Sequence, residues 1–400
     1  MAGAELIGKE EIREIMDVME TGVLMRYGFD NERKGIFKVR QLEEEFAAYC
    51  GTTHALGVTS GSAALKVALA AMGVGPGDEV IVPAFTFVAS WEAVLEVGAI
   101  PVMGDIDTTL NLDPADIERK ITPLTKAVIP VHMCGAMARI DKIMTAARKH
   151  NLLVLEDNAQ GCGGSFQGKK LGTFADMGIF SFDYYKTITT GEGGMVVTDN
   201  KEFAWRADEY HDHGHDHNHA VPRAMEGRHI LGFNYRMNEL QGALGLAQLR
   251  KLDYVCSEQR KNKARIKAFL SRVRDVGFRE VPDPDGDTAT FVAFNLPTAE
   301  LAAKFQQSLL AGGVDTTCYK TNKWHYAPNW EHMLSFATAN PQQYPFKNPA
   351  YKGEIRYERN DIPQAEDLLG RTLVLGIQVR MSDERMAQIE TAIVKAAREL

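Results

Sequence analysis

The sequence predicts an α/β fold, with a large mixed, mostly parallel sheet flanked by helices and a smaller C-terminal α/β domain. One observation predicts the α/β class, and a second predicts the number of domains. Short apolar runs alternate with helical patterns from residue 54 onward, which is typical of a sheet covered on both faces. The 400 residues, with 45% hydrophobic and 24% charged residues, are enough for two globular domains.

The first half of the chain supplies the elements of the predicted sheet. The helical patterns "VASWEAVLEVGA" and "RIDKIMTAARKHN" place apolar residues three to four positions apart. The amphipathic start "MAGAELIGKEEIREIMDVME" predicts another helix. The apolar runs that predict strands are "EVIVPAFTF", "AIPVMGDID", "TKAVIPVHMCG", "LLVLEDNAQ", "MGIFSF" and "GGMVVTDN".

The second half predicts a smaller domain. A long helical pattern from about residue 234 to 260 leads out of the first domain, and "TATFVAFNLP" and "AELAAKFQQSLLAGG" then predict a strand and a helix. Ser382 is placed to cap a C-terminal helix. We therefore expect a large cofactor-binding domain over residues 1–250 and a small domain over 251–400, with the N-terminal helix as a candidate to pack on the small one. The aromatic, aperiodic stretch "TNKWHYAPNWEHMLSFATANPQQYPFKNPAYKG" is typical of a long loop, and long loops often line sites.

Composition excludes several classes of protein. A net charge of −8 argues against a nucleic-acid partner. The five cysteines lie far apart without a CxxC pair, which argues against a disulfide framework or a cysteine zinc site. The N-terminus lacks the features of a signal peptide, and no apolar stretch is long enough to span a membrane. We expect a soluble, cytoplasmic protein without a membrane or nucleic-acid partner.

The run "MGIFSFDYYKTITTGEGGMVVTDN" is the most informative. An apolar strand ends in Ser181, Lys186 follows it, and a glycine-rich turn leads into the next strand. An amine that can form a Schiff base, close to hydroxyls and free amides that can hold a phosphate, suits a carbonyl cofactor. The alternative is a solvated loop lysine beside a glycine hairpin.

Two further positions suit the same cofactor. Asp157 ends a strongly apolar strand, and a carboxylate there could keep a pyridine nitrogen protonated, although a turn or helix-capping aspartate is the alternative. In "VTSGSAALKVAL", the amides of Gly61 and Ser62 open a helix and could receive a phosphate, as at many helix starts.

In this order the motifs resemble one family, the pyridoxal-phosphate sugar aminotransferases called DegT/DnrJ/EryC1/StrS, which have the aspartate aminotransferase type of fold. The resemblance extends from about Phe37 to the C-terminus. It is carried by "TSGSAAL", "GDEVIVPAFTFVAS", "PVMGDID", "VIPVHMCG", "EDNAQGCGG", "GIFSF", "TGEGGMVVT" and "GFNYRMNELQGALGLAQL".

The resemblance implies a role for each matching residue, with pyridoxal 5'-phosphate as cofactor and a homodimer that shares its active sites. Implied are Lys186 as the Schiff-base lysine, Asp157 as the partner of the pyridine nitrogen, Gln160 beside the phenolic oxygen, Phe87 stacked on the ring, Gly61, Ser62 and Ser181 on the phosphate, and Asn234 reaching the phosphate of the neighbouring subunit. For Phe87 and Asn234, core packing and helix capping are the respective alternatives.

The implied reaction moves an amino group from glutamate to a keto or aldehydo sugar. A sister branch that dehydrates sugars has histidine in place of the lysine, so Lys186 favours transamination. Our first expectation for the acceptor is 8-oxo-3-deoxy-octulosonate, giving the 8-amino sugar of lipopolysaccharide biosynthesis. The alternatives are a nucleotide-linked 4-keto or 3-keto deoxyhexose, or a non-catalytic regulatory or metal-binding protein on this fold. Candidate contacts to an acidic sugar are His213, His215, Lys320 and His325, with Lys323 and Arg380 as further positive charges.

The histidine-rich stretch "HDHGHDHNH" at residues 211–219 is open to three interpretations. In an extended segment its five histidines would share one face and could bind a metal. His213 and Gly214 match a family "HG" in a loop near the mouth of the active site, which favours a substrate-binding loop. A solvated polar loop is the third interpretation, and we expect no metal in the active site.

Overall fold

The computed structural model describes residues 2–218 and 220–400 of the chain. The helices are α1 (Ala2–Glu5), α2 (Lys9–Thr21), α3 (Lys38–Cys50), α4 (Gly61–Ala71), α5 (Ala89–Glu96), α6 (Pro114–Lys120), α7 (Ile140–Lys149), α8 (Lys201–His211), α9 (Glu239–Leu249), α10 (Leu252–Leu270), α11 (Ala299–Ala311), α12 (Glu331–Leu334), α13 (Pro363–Arg371) and α14 (Asp383–Glu399). The strands are β1 (His54–Val58), β2 (Glu79–Pro83), β3 (Ile100–Gly104), β4 (Thr125–Val128), β5 (Leu153–Asp157), β6 (Ser165–Phe166), β7 (Lys169–Lys170), β8 (Met177–Ser181), β9 (Gly194–Thr198), β10 (Gly277–Phe278), β11 (Phe291–Asn295) and β12 (Thr372–Gly376).

The main sheet has seven strands in the order β1-β9-β8-β5-β4-β2-β3. Strand β9 is antiparallel to both of its neighbours, and the other adjacent pairs are parallel. Parallel neighbours need crossover connections, and helices such as α5 and α7 supply them. The expected mixed, mostly parallel sheet flanked by helices is confirmed.

This topology brings four chain segments to one edge of the sheet. Strands β1, β2, β5 and β8 point in the same direction, so the residues that follow them meet at their carboxyl ends. In open α/β sheets this edge is where ligands bind.

The C-terminal part forms a second, antiparallel sheet in the order β10-β11-β12. Helices α10, α11 and α14 supply buried residues to the same hydrophobic cluster as this sheet. The long aromatic segment contributes Tyr326, Trp330 and Phe346 to the cluster of the main sheet instead. The expected domain boundary at residue 250 falls between α9 and α10, and the assignment of 1–250 and 251–400 to two domains stays a prediction.

The N-terminal segment lies between the two parts of the chain. Ala2 and Leu6 pack with Val255 of α10 and with Val379. The Gly3 amide donates to the Lys186 carbonyl at 3.3 Å, so α1 also touches the loop of the predicted catalytic lysine. Among the described residues, no helix combines the length and the apolar character needed to cross a bilayer. The cytoplasmic location stays a prediction.

Candidate active site

A cavity of about 600 Å³ opens at the carboxyl edge of the main sheet. Eight of the residues singled out from the sequence lie in its wall, although they come from five separate chain segments. They are Gly61, Ser62, Phe87, Asp157, Gln160, Ser181, Lys186 and His325.

One end of the cavity is formed by the start of α4. Ser60 caps this helix by accepting a hydrogen bond from the Ala63 amide at 3.0 Å. The amides of Gly61 and Ser62, at the first two positions of the helix, have no intrahelical acceptor. A Cβ added to Gly61 would lie 2.7 Å from Ser181 Cβ, so only glycine lets the helix start approach Ser181 this closely. The free amides of Gly61 and Ser62, with the hydroxyl groups of Ser62 and Ser181 in the same cavity wall, suit a phosphate.

Asp157 lies deep in the cavity at the end of β5. Its Oδ1 accepts from the Ala159 amide at 3.1 Å, and its Oδ2 accepts from Ser90 Oγ at 2.8 Å. Burial raises the pKa of Asp157, while these two hydrogen bonds and the nearby Lys186 act in the opposite direction. A buried carboxylate held in this way can pair with a cationic ring nitrogen.

Lys186 lies in the loop between β8 and β9. Its backbone amide donates to the Asp183 carbonyl at 3.0 Å, and its Nζ lies 6.0 Å from the centre of the Phe87 ring. Removal from bulk water lowers the pKa of Lys186. A lowered pKa enlarges the fraction of neutral amine, which is the nucleophilic form.

Two stretches of chain form the aromatic wall of the cavity. Phe87 lies nearly parallel to Trp324, with ring centres 6.0 Å apart, and 5.4 Å from the ring of His325. The two stretches are also joined through their backbones, because the Thr86 amide donates to the His325 carbonyl at 3.1 Å. Burial, reinforced by the charge of Lys186, lowers the pKa of His325 to about 4, so its ring is neutral at pH 7.

A second, smaller cavity of about 230 Å³ adjoins the first beside Lys186 and His325. Its wall adds Thr187, Thr290, Phe291 and Tyr319, which are hydroxyl-bearing or aromatic. Gln160 lies between the two cavities, and its Oε1 accepts from the Cys134 amide at 2.9 Å.

Four predicted residues lie outside both cavities. Lys320 forms an ion pair with Glu366, and His215 Nδ1 pairs with Glu226 at 2.7 Å. His213 and Asn234 are exposed. The structure does not bring these four to the site within one chain, so their predicted roles toward substrate and the neighbouring subunit stay predictions.

The histidine-rich stretch forms an ion-pair network. Helix α8 ends at His211, and His213 and His217 have positive φ, so the stretch is not extended. His217 bridges Asp208 at 2.7 Å and Asp212 at 2.9 Å, and its ring stacks on Tyr27. Among the residues described here, no group of three or more His, Cys, Asp or Glu is arranged to hold a metal ion. His219 lies outside the described residues.

Sequence reasoning missed Thr86, Ser90 and Trp324 as residues of the cavity wall. Thr86 precedes α5 and Ser90 lies in its first turn, so their contact depends on the turn that opens the helix and not on helical spacing. For Trp324 no signal existed beyond the aromatic composition of its loop, because the loop meets Phe87 only through tertiary packing.

Comparison with known proteins agrees with this geometry. Residues 5–345 match the model of the DegT/DnrJ/EryC1/StrS aminotransferase family. The chain is 34% identical over 400 residues to the spore coat polysaccharide biosynthesis protein SpsC of Bacillus subtilis, covering 97% of this chain and 94% of that protein. It is 47% identical over 214 residues to GDP-perosamine synthase of Caulobacter vibrioides, a match that covers only 53% of this chain and 56% of that protein.

The fold is also similar to solved structures. NtdA of Bacillus subtilis with the bound cofactor PMP superimposes with a TM-score of 0.80 at 25% identity, covering 99% of this chain and 84% of that one. The cavity described above fits such a cofactor, because it combines a phosphate cradle at Gly61, a buried carboxylate and a lysine of lowered pKa. The chain therefore belongs to the DegT/DnrJ/EryC1/StrS family and is a pyridoxal-phosphate-dependent sugar aminotransferase of fold type I.

Proposed function

We propose that the protein transfers an amino group from glutamate to a nucleotide-linked keto deoxyhexose, with Lys186 and Asp157 as its catalytic residues. The observation that carries the proposal is that Lys186, with its lowered pKa, shares one cavity with buried Asp157 and with the start of α4. This arrangement provides a nucleophilic amine, an anion and a phosphate cradle within one enclosed volume.

Each side chain has a separate task in this proposal. When bound, pyridoxal phosphate supplies an aldehyde that captures the amino group and a pyridine ring that withdraws electrons from it. The start of α4 and Ser181 would hold the phosphate, Phe87 would cover one face of the ring, and Gln160 would serve the phenolic oxygen. Asp157 would hold the proton on the pyridine nitrogen.

Lys186 has two tasks. Its amine would hold the cofactor through a Schiff base in the absence of the donor. As a free amine it would serve as the base that moves the proton between the α-carbon of glutamate and C4′ of the cofactor. The lowered pKa of Lys186 supports this task, because only the neutral amine can accept the proton.

The wall of the cavities supports a neutral sugar ring as the part that enters. Among the described residues that line the two cavities, Lys186 is the only lysine or arginine. Hydroxyl groups of Thr290 and Tyr319 and the face of Phe291 suit the polar and apolar sides of a sugar. The partial match with GDP-perosamine synthase supports a nucleotide-linked hexose, with the nucleotide outside the cavity. The acceptor 8-oxo-3-deoxy-octulosonate stays a prediction.

A second copy of the chain would complete the site. Close to Asn234 in the sequence, Leu231 and Phe233 are 79% and 42% exposed, and Tyr185 at the cavity wall is 69% exposed. Large apolar side chains that are exposed on a surface favour association. These exposed side chains support a homodimer in which Asn234 of one subunit would reach the phosphate of the other.

The test is the visible absorbance of the wild type, Lys186→Ala and Lys126→Ala, before and after glutamate. Lys126 is an exposed lysine on β4 and serves as the matched control. We expect a yellow wild type and control that glutamate bleaches, and loss or strong slowing of the bleaching in Lys186→Ala. Colour should then return with a GDP-linked 4-keto-6-deoxyhexose. If colour returns only with 8-oxo-3-deoxy-octulosonate, that sugar is the acceptor in place of the nucleotide-linked hexose. A protein that stays colourless with added pyridoxal phosphate would refute the proposed reaction.

A further inference from the structure

Two buried hydroxyl groups, those of Thr86 and Ser90, form a hydrogen-bonded relay to Asp157. Thr86 Oγ1 lies 2.7 Å from Ser90 Oγ, and Ser90 Oγ lies 2.8 Å from Asp157 Oδ2. Thr86, Ser90 and Asp157 are 0%, 1% and 3% exposed. No bulk water therefore competes for these hydrogen bonds.

The direction of the chain follows from the donors available. An ionised carboxylate accepts only, so the Ser90 hydroxyl must donate to Asp157. Ser90 Oγ then has lone pairs but no proton left for Thr86, and Thr86 must donate to Ser90. Consecutive hydrogen bonds that point the same way polarise and strengthen one another.

We propose that Thr86 and Ser90 are positioning residues that keep Asp157 ionised and aimed at the pyridine nitrogen of the cofactor. The proposal rests on the proposed role of Asp157, since both hydroxyl groups act through that carboxylate. It explains why hydroxyl-bearing residues occupy positions 86 and 90, near the start of α5.

The surroundings of Asp157 show why such support matters. Burial alone favours the neutral acid. Besides Ser90, the groups that act against burial are the Ala159 amide, Lys186 and His132. His132 Nδ1 accepts from the Ala138 amide at 3.0 Å, so its Nε2 carries the proton that is shared with Glu156. The proton of His132 is thus directed to another carboxylate, which leaves Ser90 as the side chain that donates directly to Asp157.

The backbone fixes the relay to the rest of the site. The Thr86 amide donates to the His325 carbonyl, and the Ser90 amide donates to the Phe87 carbonyl at 3.1 Å. Phe87 lies between the two hydroxyl residues in the chain and forms the aromatic wall. One turn of the backbone therefore holds both Phe87, which would cover the cofactor ring, and the two hydroxyl residues that act on Asp157.

The test compares two cofactors that differ in one atom. Pyridoxal phosphate and its 1-deaza analogue, which has a C–H group in place of the ring nitrogen, are bound to the full-length protein after removal of the resident cofactor. Equilibrium dialysis gives the dissociation constant of each for the wild type, Ser90→Ala, Thr86→Val and Thr86→Ser. Ser308→Ala is the matched control, because Ser308 is a buried hydroxyl in α11 that has no hydrogen-bond partner within residues 2–218 and 220–400. Asp157→Asn is the reference for loss of the carboxylate.

We expect Ser90→Ala to weaken binding of pyridoxal phosphate about tenfold or more, because a hydrogen bond to a charged group is lost, and to change binding of the analogue by less than about twofold. Thr86→Val should show the same selectivity with a smaller loss, while Thr86→Ser and Ser308→Ala should bind both cofactors like the wild type. Equal losses for the two cofactors in Ser90→Ala would overturn the relay and leave a packing role only. If Asp157→Asn itself fails to discriminate, the relay falls together with the proposed role of Asp157.

Discussion

At the scale of single residues, Gly61 is a position where one methyl group would alter the cofactor site. Its Cβ would lie 2.7 Å from Ser181 Cβ and 2.9 Å from Ser181 Oγ. Gly61→Ala must therefore push Ser181 or the start of α4 out of place. We expect about tenfold weaker binding of pyridoxal phosphate, which corresponds to about 1.4 kcal/mol, and little change for pyridoxal, which lacks the phosphate. Binding titrations with both compounds measure this difference.

Gly370→Ala is the control for this substitution. Gly370 also lies in a helix, α13, and an added Cβ there would make only an ordinary contact of 3.8 Å with Ala299. Its affinity for both compounds should equal that of the wild type. An equal loss for pyridoxal and pyridoxal phosphate in Gly61→Ala would show that the cradle does not hold the phosphate.

At the scale of elements, the 24–35 segment is anchored by a buried ion pair. Arg33 Nη1 lies 2.9 Å from Oε1 of Glu239, and Oε2 of Glu239 accepts from the Lys38 and Val39 amides at the start of α3. Arg33→Ala would leave the Glu239 carboxylate buried without its cation, which costs about 3–5 kcal/mol. Urea unfolding should show this loss. The double variant with Glu239→Gln should recover part of it, because a neutral amide is cheaper to bury. Equal stability of the single and double variants would contradict this explanation.

The histidine-rich segment makes stability depend on pH. Burial lowers the pKa of His217, but the hydrogen bonds that its ring donates to Asp208 and Asp212 outweigh burial and raise this pKa to about 9. Because this pKa lies above the unfolded value near 6.5, the contribution is complete below about pH 6.5 and is lost as the pH rises through about 9. Allowing for screening by solvent, it is about 2 kcal/mol.

The measurement is urea unfolding at pH 6.5 and 9.5 for the wild type, His217→Asn and His213→Asn. His213 is exposed and serves as the control. The wild type and the control should lose stability between the two pH values, and His217→Asn should lose about 2 kcal/mol less. The same loss in all three proteins would assign the pH dependence to other groups.

The parts of the site that the sequence predicts are those next to the strands of the main sheet. Asp157 and Ser181 end buried strands, and parallel strands bring their carboxyl ends to one edge, so their convergence follows from local pattern and topology. The contact of Tyr27 with His211 joins residues 184 positions apart in the chain. Neither residue carries a periodic signal of that pairing, so the ion-pair network could not be derived before the structure.

At the scale of the whole molecule, the proposed dimer with shared sites predicts complementation between two damaged variants. Lys186→Ala and Asn234→Ala each damage one contribution to a site. If Asn234 serves the neighbouring subunit, a mixed dimer has one site with both native residues and one with neither. Random assembly makes about half of all dimers mixed, so activity should recover to about a quarter of the wild type.

The matched control is coexpression of Lys186→Ala with Asp157→Asn. Both residues line the cavity of their own chain, so the mixed dimer has no native site and activity should not recover. Gel filtration should give a mass of about twice 44.3 kDa for every pair. Absence of recovery in the first pair, with dimers present, would place the action of Asn234 within its own subunit.

The stacking of Trp324 on Phe87 also gives the protein an optical reporter. Trp324 is one of four tryptophans in the chain, and its ring lies in the wall of the cavity, 62% exposed to solvent. Trp91 and Trp330 are buried in the core, with ring centres 5.5 Å apart, and neither lines the cavity. A chromophore bound against Phe87 would quench the emission of Trp324 by energy transfer over a few ångströms. Loading and release of the cofactor could thus be followed in real time without a label, and Trp324→Phe would supply the dark reference.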